Sequence, residues 1–103
     1  MAGNVALLLQ SSDNVATLLD DVTETGTLLE VITTAGNIVD NVISLGAIAR
    51  GHKIALAEID IGSRIKKYGE DIGVASQKIK RGSWVHVHNV DSCRGRGDLG
   101  GIE

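Results

Sequence analysis

The chain has 103 residues, 43% of them hydrophobic, with 13 glycines, no proline and only two aromatics, Tyr68 and Trp84. That length makes one domain whose core must be aliphatic, and its wealth of Val, Ile and Leu favours strands over a helical bundle. The net charge of −3 hides a split, because residues 1–49 hold six acids and no Lys or Arg, while residues 50–103 hold all ten basic residues against seven acids. A mildly basic half so poor in aromatics suits an anionic small molecule or an acidic partner surface and argues against nucleic acid as a partner. The single cysteine, Cys93, excludes an internal disulfide and any metal-type cysteine spacing. No basic-then-apolar leader opens the chain, and no apolar run approaches the roughly 20 residues of a membrane span. A cytoplasmic location, away from membranes, is the expectation.

In chain order, "ALLLQ" (6–10) predicts a first strand. "SSDNVATLLDDV" (11–22) predicts a helix: Ser12 or Asp13 can cap it, and Val15, Leu18, Leu19 and Val22 fall on one helical face. Gly26 ends that segment. "TLLEVIT" (27–33) has strand composition, "TAGN" (34–37) supplies a turn, and "IVDNVISL" (38–45) follows it. After Gly51, "HKIALAEI" (52–59) again has strand character. "IDIGSRI" (59–65) and "IKRGSWV" (79–85) share the pattern Ile-x-x-Gly-Ser-x-Ile/Val, and economy of turn residues explains this echo as well as an internal duplication does. Gly69 and Gly73 add turn points between them. The expected fold is therefore mainly β with one or two short helices, in a domain spanning 1–92. The glycine-rich stretch 93–103 reads as a flexible tail.

Four groups of residues could carry chemistry. Alternation along a strand would put Trp84, His86 and His88 on one side of "WVHVHN" (84–89), with Val85, Val87 and Asn89 on the other. Two imidazoles so placed could hold a shared metal or an anion, and an exposed face of an edge strand gives the same pattern. In "RGHK" (50–53), His52 and Lys53 would point to opposite faces. Lys67 and Tyr68, beside Gly69, could bind a carboxylate or a sugar hydroxyl, or could cap a solvated hairpin. Arg94 and Arg96 have the glycine neighbours that let an arginine grip carboxylates bidentately.

Taken together, "DNVAT" (13–17), "RGHKIAL" (50–56), "KYGEDIG" (67–73) and "VHVHN" (85–89) resemble, in that order, the SAF-type domain of the altronate/galactarate dehydratase family, which in its small-subunit members is followed by residues like "RGRGDL" (94–99). That family includes sulfolactate sulfo-lyase. The resemblance implies a β-clip fold, and a role either as the N-terminal part of a long chain or as a separate small subunit. It implies a large dehydratase or lyase subunit as partner, holding most of the active site and a divalent metal, iron first and manganese or magnesium otherwise. The reaction would be β-elimination of water or sulfite from a sugar acid or other hydroxy-acid. Matching positions are Gly51, His52, Lys53, Lys67, Tyr68, Gly69, His86, His88 and Asn89. On this reading His86 and His88 are the catalytic and metal candidates, and His52, Lys53, Lys67, Tyr68, Asn89, Arg94 and Arg96 bind substrate. The alternative is a non-catalytic SAF-type module that binds carbohydrate or a partner. Pairing of edge strands between copies would make a homo-oligomer.

Overall fold

The computed structural model describes residues 4–92. Arg94, Arg96, Cys93 and the tail expected over 93–103 lie outside the described residues. The described residues form nine strands: β1 (Val5–Leu8), β2 (Val15–Leu18), β3 (Leu28–Thr33), β4 (Ile38–Ile43), β5 (Lys53–Ala55), β6 (Arg64–Lys67), β7 (Glu70–Ala75), β8 (Trp84–Val85) and β9 (Val90–Asp91). Six build a sheet in the order β4-β3-β1-β2-β5-β8, and three build a second in the order β6-β7-β9. Among the described residues only the β1–β3 pairing is parallel.

No helix is present among the described residues, which corrects the helix expected over 11–22. That segment forms β2, in which Val15, Ala16 and Leu18 are buried, while Leu19 is 41% exposed and so breaks the supposed helical stripe. Alternation in a strand sends adjacent side chains to opposite faces, and here both faces are covered. Ala16 and Leu18 join one aliphatic core with Val22, Leu29, Val31 and Ile54. Val15 joins a second with Ala55, Ile59, Ile65, Ala75, Ile79 and Val85. Ile54 and Ala55 of β5 divide in the same way, so β2 and β5 form the wall between the two cores. Each fully buried Ile or Leu contributes roughly 1.5–3 kcal/mol.

The echo between "IDIGSRI" and "IKRGSWV" is a structural repeat. Ile59 and Ile79 pair across an isolated antiparallel bridge, each N–H donating to the other's carbonyl at 2.8 Å. Gly62 N–H donates to Ala75 O and Gly82 N–H to Ala55 O, both at 2.9 Å. Ser63 and Ser83 carbonyls accept in return from Ala75 and Ala55. The two segments thus clasp each other reciprocally. A second clasp has the same wiring: Val22 bridges Ile48, Gly26 N–H donates to Ser44 O, and Gly51 N–H donates to Leu18 O. Each arm turns at a glycine (26, 51, 62 or 82) with φ between 86° and 93°, a conformation that costs glycine nothing and side-chain-bearing residues dearly.

The loop before β8 also reaches the far edge of the six-stranded sheet. Leu45 N–H donates to Gly82 O at 2.9 Å, and the Arg81 guanidinium grips Asp40 bidentately at 3.0 and 3.1 Å. Arg81 also donates to the carbonyls of Leu56 and Asn41. The sheet therefore curls until the strands at its two ends are tied together.

Candidate functional site

The clasps set the backbone of the candidate site. His52 closes the turn that follows Gly51: its N–H donates to Ala49 O at 3.1 Å, and its carbonyl accepts from Leu18 N–H at 2.9 Å. Ser83 closes the matching turn after Gly82, so Trp84 begins β8 where Lys53 begins β5. The antiparallel register Ile54↔Trp84 and Lys53↔Val85 then brings His52 beside the indole. Trp84 Nε1–H donates to His52 Nδ1 at 3.1 Å.

The strand expected through residue 89 stops at Val85, and residues 87–89 form a turn. Asn89 is the reason. It is only 5% exposed; its Oδ1 accepts from His86 N–H at 2.9 Å and its Nδ2 donates to Trp84 O at 2.9 Å. An asparagine that bonds its own neighbourhood in this way competes with the strand ladder. Two details of the alternation are thereby corrected. Val87 is 79% exposed instead of facing the core, and both polar ends of Asn89 are engaged inside the turn.

The rings still converge. Trp84 stacks on His86 with centroids 5.2 Å apart and planes 12° from parallel, and lies tilted against His88 at 4.8 Å. His52 meets His86 edge-on at 4.8 Å. All three histidines of the chain therefore gather at one indole. Partial burial, followed by the charges of His52, Lys53 and His88, holds the His86 imidazole below the ordinary imidazole pKa.

Two hollows open beside this cluster. One, of about 580 Å³, is lined by His52 and Trp84 together with Asp21, Val22, Ala47 and Ile48. The other, of about 300 Å³, is lined by Lys53, His86, Ile65, Ile72, Val85 and Val90 among others. His52 and Lys53 thus serve different hollows, as their adjacent positions require. Burial, and then the charge of Lys67, lowers the Lys53 ammonium from its ordinary pKa.

Lys67 acts on this site through its charge, yet with Tyr68 it lines a third hollow shared with Leu9, Thr34 and Ile72. Tyr68 is 63% exposed and adopts φ 57°. Its turn is held by Asp13, a residue that reads in the sequence as a helix cap. The Asp13 carboxylate accepts from Tyr68 N–H and Gly69 N–H at 2.8 Å and from Gln10 N–H at 3.1 Å. Structure thus unites His52, Lys53, His86, His88 and Asn89, with Lys67 at their margin and Tyr68 apart. Trp84 is the residue that sequence reasoning undervalued; an indole N–H near a core needs an acceptor, and only that requirement signals its partnership with His52.

Among the described residues no group of three or more His, Cys, Asp or Glu could hold a metal ion. No helix among them is long and apolar enough to cross a membrane.

Residues 4–93 match the family model described as "Altronate/galactarate dehydratase SAF domain". The chain is 56% identical over 43 residues to an altronate dehydratase of Bacillus subtilis, covering 42% of this chain and 9% of that protein. It is 44% identical over 48 residues to (2R)-sulfolactate sulfo-lyase subunit alpha of Chromohalobacter salexigens, covering 47% of this chain and 51% of that subunit. To the L-threo-forming galactarate dehydratase of Escherichia coli it is 50% identical over 38 residues, covering 37% of this chain and 7% of that enzyme. The matched part thus spans about half of the sulfo-lyase subunit and less than a tenth of each dehydratase.

Proposed function

This chain belongs to the altronate/galactarate dehydratase SAF-domain family, and on that premise we propose that it is the small subunit of a metal-dependent sugar-acid dehydratase or related lyase. In this proposal it works in the cytoplasm, beside a large subunit that completes the active site. The reaction is β-elimination, in which a hydroxy-acid loses a proton next to its carboxylate and then water or sulfite from the neighbouring carbon. The observation that carries the reading is the convergence of His52, His86 and His88 on Trp84, with Lys53 lining the adjoining hollow. Lys53 and Lys67 supply positive charge for a carboxylate, and His86 and His88 face the substrate. Names of relatives support the class, since one is a lyase subunit and two are dehydratases of sugar acids.

The divalent metal, iron or else manganese or magnesium, belongs on the large subunit in this proposal. Among the described residues no group of three or more His, Cys, Asp or Glu could hold a metal ion, so no step is assigned to a metal held by this chain.

The test is reconstitution. The chain is co-produced with a large dehydratase subunit, and elimination from altronate, galactarate and sulfolactate is followed. Activity should require the chain, and replacing His86 and His88 together by alanine should cut turnover by about 10²–10⁴-fold if they act as acid or base. Full turnover without the chain, or with both imidazoles gone, refutes the proposal. A second reading, a carbohydrate-binding module, draws on the half-exposed Trp84 at the larger hollow. Sugar-acid binding by the chain alone, indifferent to metal and large subunit, would favour it.

A further inference from the structure

We propose that Trp84 is a positioning residue that divides the histidine cluster into a donor and an acceptor by holding His52 as its Nε2–H tautomer. The inference deepens the dehydratase reading of the same site and rests on that reading for its ligand.

An indole has a single polar atom, and that atom only donates. With Trp84 Nε1 lying 3.1 Å from His52 Nδ1, a hydrogen bond forms only when Nδ1 keeps its lone pair. The proton of the neutral ring then sits on Nε2. Neither partner is free to drift out of this arrangement. The His52 backbone is bonded on both sides, to Ala49 and Leu18, and Asn89 pins the Trp84 carbonyl. The tautomer is therefore set by the fold before any ligand arrives.

His86 is held differently. Its backbone N–H is bonded to Asn89, its ring stacks on the indole, and neither ring nitrogen is bonded to another described residue. The same surroundings that lower its pKa keep a lone pair available. His52 thus offers an N–H, and His86, at a centroid distance of 4.8 Å, offers a lone pair. A hydroxy-acid presents the matching pair of groups: carboxylate oxygens that accept and a hydroxyl that donates. His52, confined to donating, beside His86, whose unbonded ring can still accept, can therefore tell a hydroxy-acid from a simple carboxylate.

The experiment uses the ¹⁵N-labelled chain alone, at a pH above the ordinary imidazole range, and then the reconstituted complex. In the chain alone, a scalar coupling across the hydrogen bond should link Trp84 Nε1 to His52 Nδ1, and the His52 hydrogen should appear on Nε2. Trp84→Phe keeps an aromatic ring against His86 and His88 while deleting the N–H. It should leave the amide spectrum folded, shift the His52 ring nitrogens and admit a fraction of the Nδ1–H form. In the complex, the same variant should lower kcat/KM by about tenfold, the scale of one hydrogen bond. A His52 hydrogen found on Nδ1, a coupling to Nε2, or unchanged His52 ring shifts in Trp84→Phe would each overturn the assignment. A confirmed tautomer in a complex that performs no elimination leaves the assignment standing and overturns the functional reading instead.

Discussion

Replacing Asn89 by alanine tests whether one side chain builds the turn that carries His86 and His88. The structure sets the magnitude. Two hydrogen bonds are lost, His86 N–H to Oδ1 and Nδ2 to Trp84 O, both at 2.9 Å and made by a side chain in a residue only 5% exposed. Each is worth about 0.5–1.5 kcal/mol net, and backbone groups left behind without a partner add to the loss, so the expected cost is about 2–4 kcal/mol. Against the roughly 5–15 kcal/mol that holds a domain of this kind together, that is a large fraction. Urea unfolding of the chain, followed by far-ultraviolet circular dichroism, measures it directly. Asn89→Asp sharpens the test. The carboxylate can still accept from His86, yet it sets an oxygen against the Trp84 carbonyl, so burial and repulsion raise its pKa. Its penalty should be largest at neutral pH and should ease as the pH falls and the carboxyl gains a proton able to donate. A cost below about 0.5 kcal/mol for the alanine variant, within the range of ordinary surface changes, would show that the turn stands without Asn89 and that the reasoning is wrong.

Three further outcomes follow from the geometry. A Cβ at Gly82 would lie 2.2 Å from the Ile43 carbonyl oxygen at φ 93°, whereas one at Gly62 would meet nothing within 4 Å at φ 86°; Gly62→Ala should cost about 1–2 kcal/mol from conformation alone, and thermal unfolding should show Gly82→Ala to be clearly worse. Asp13→Asn leaves one acceptor oxygen for three backbone N–H groups, so a loss of about 2–3 kcal/mol is expected in the same assay, and a neutral result would remove Asp13 from the account of the Tyr68 turn. His86 binds its proton less readily in the folded chain than an ordinary imidazole does; its contribution to stability is therefore complete above the ordinary imidazole range and declines as the pH falls through it, and His86→Gln should flatten this decline in pH-dependent unfolding.

Much of the fold was legible because its signals were local. "ALLLQ" and "TLLEVIT" announced β1 and β3, and the 34–37 turn lies where its glycine and asparagine put it. The clasp joining 55–65 to 75–85 shows in the sequence because its arms have equal spacing and similar residues. The clasp joining 18–29 to 44–54 does not, since Gly26 follows its bridging valine by four residues and Gly51 its bridging isoleucine by three. Helical periodicity misled at 15–22 because the cores on the two sides of β2 take Val15, Leu18 and Val22, which also fall at helical spacing, while Leu19, the remaining member of the supposed stripe, is exposed. At the site, residue types pointed to His86 and His88, but their convergence with His52 depends on pairing between β5 and β8 and on a turn. Alternation gave the right neighbours for the wrong reason.

The chain contains a single tryptophan, and its ring lies against all three histidines. Ultraviolet-excited emission from the unmodified chain at wavelengths that select indole therefore originates at the candidate site and nowhere else. A protonated imidazole quenches an excited indole more strongly than a neutral one, so intensity should follow the charge of the cluster. Titrating in a candidate sugar acid or a second polypeptide and watching the colour and brightness of that light would report occupancy without any label.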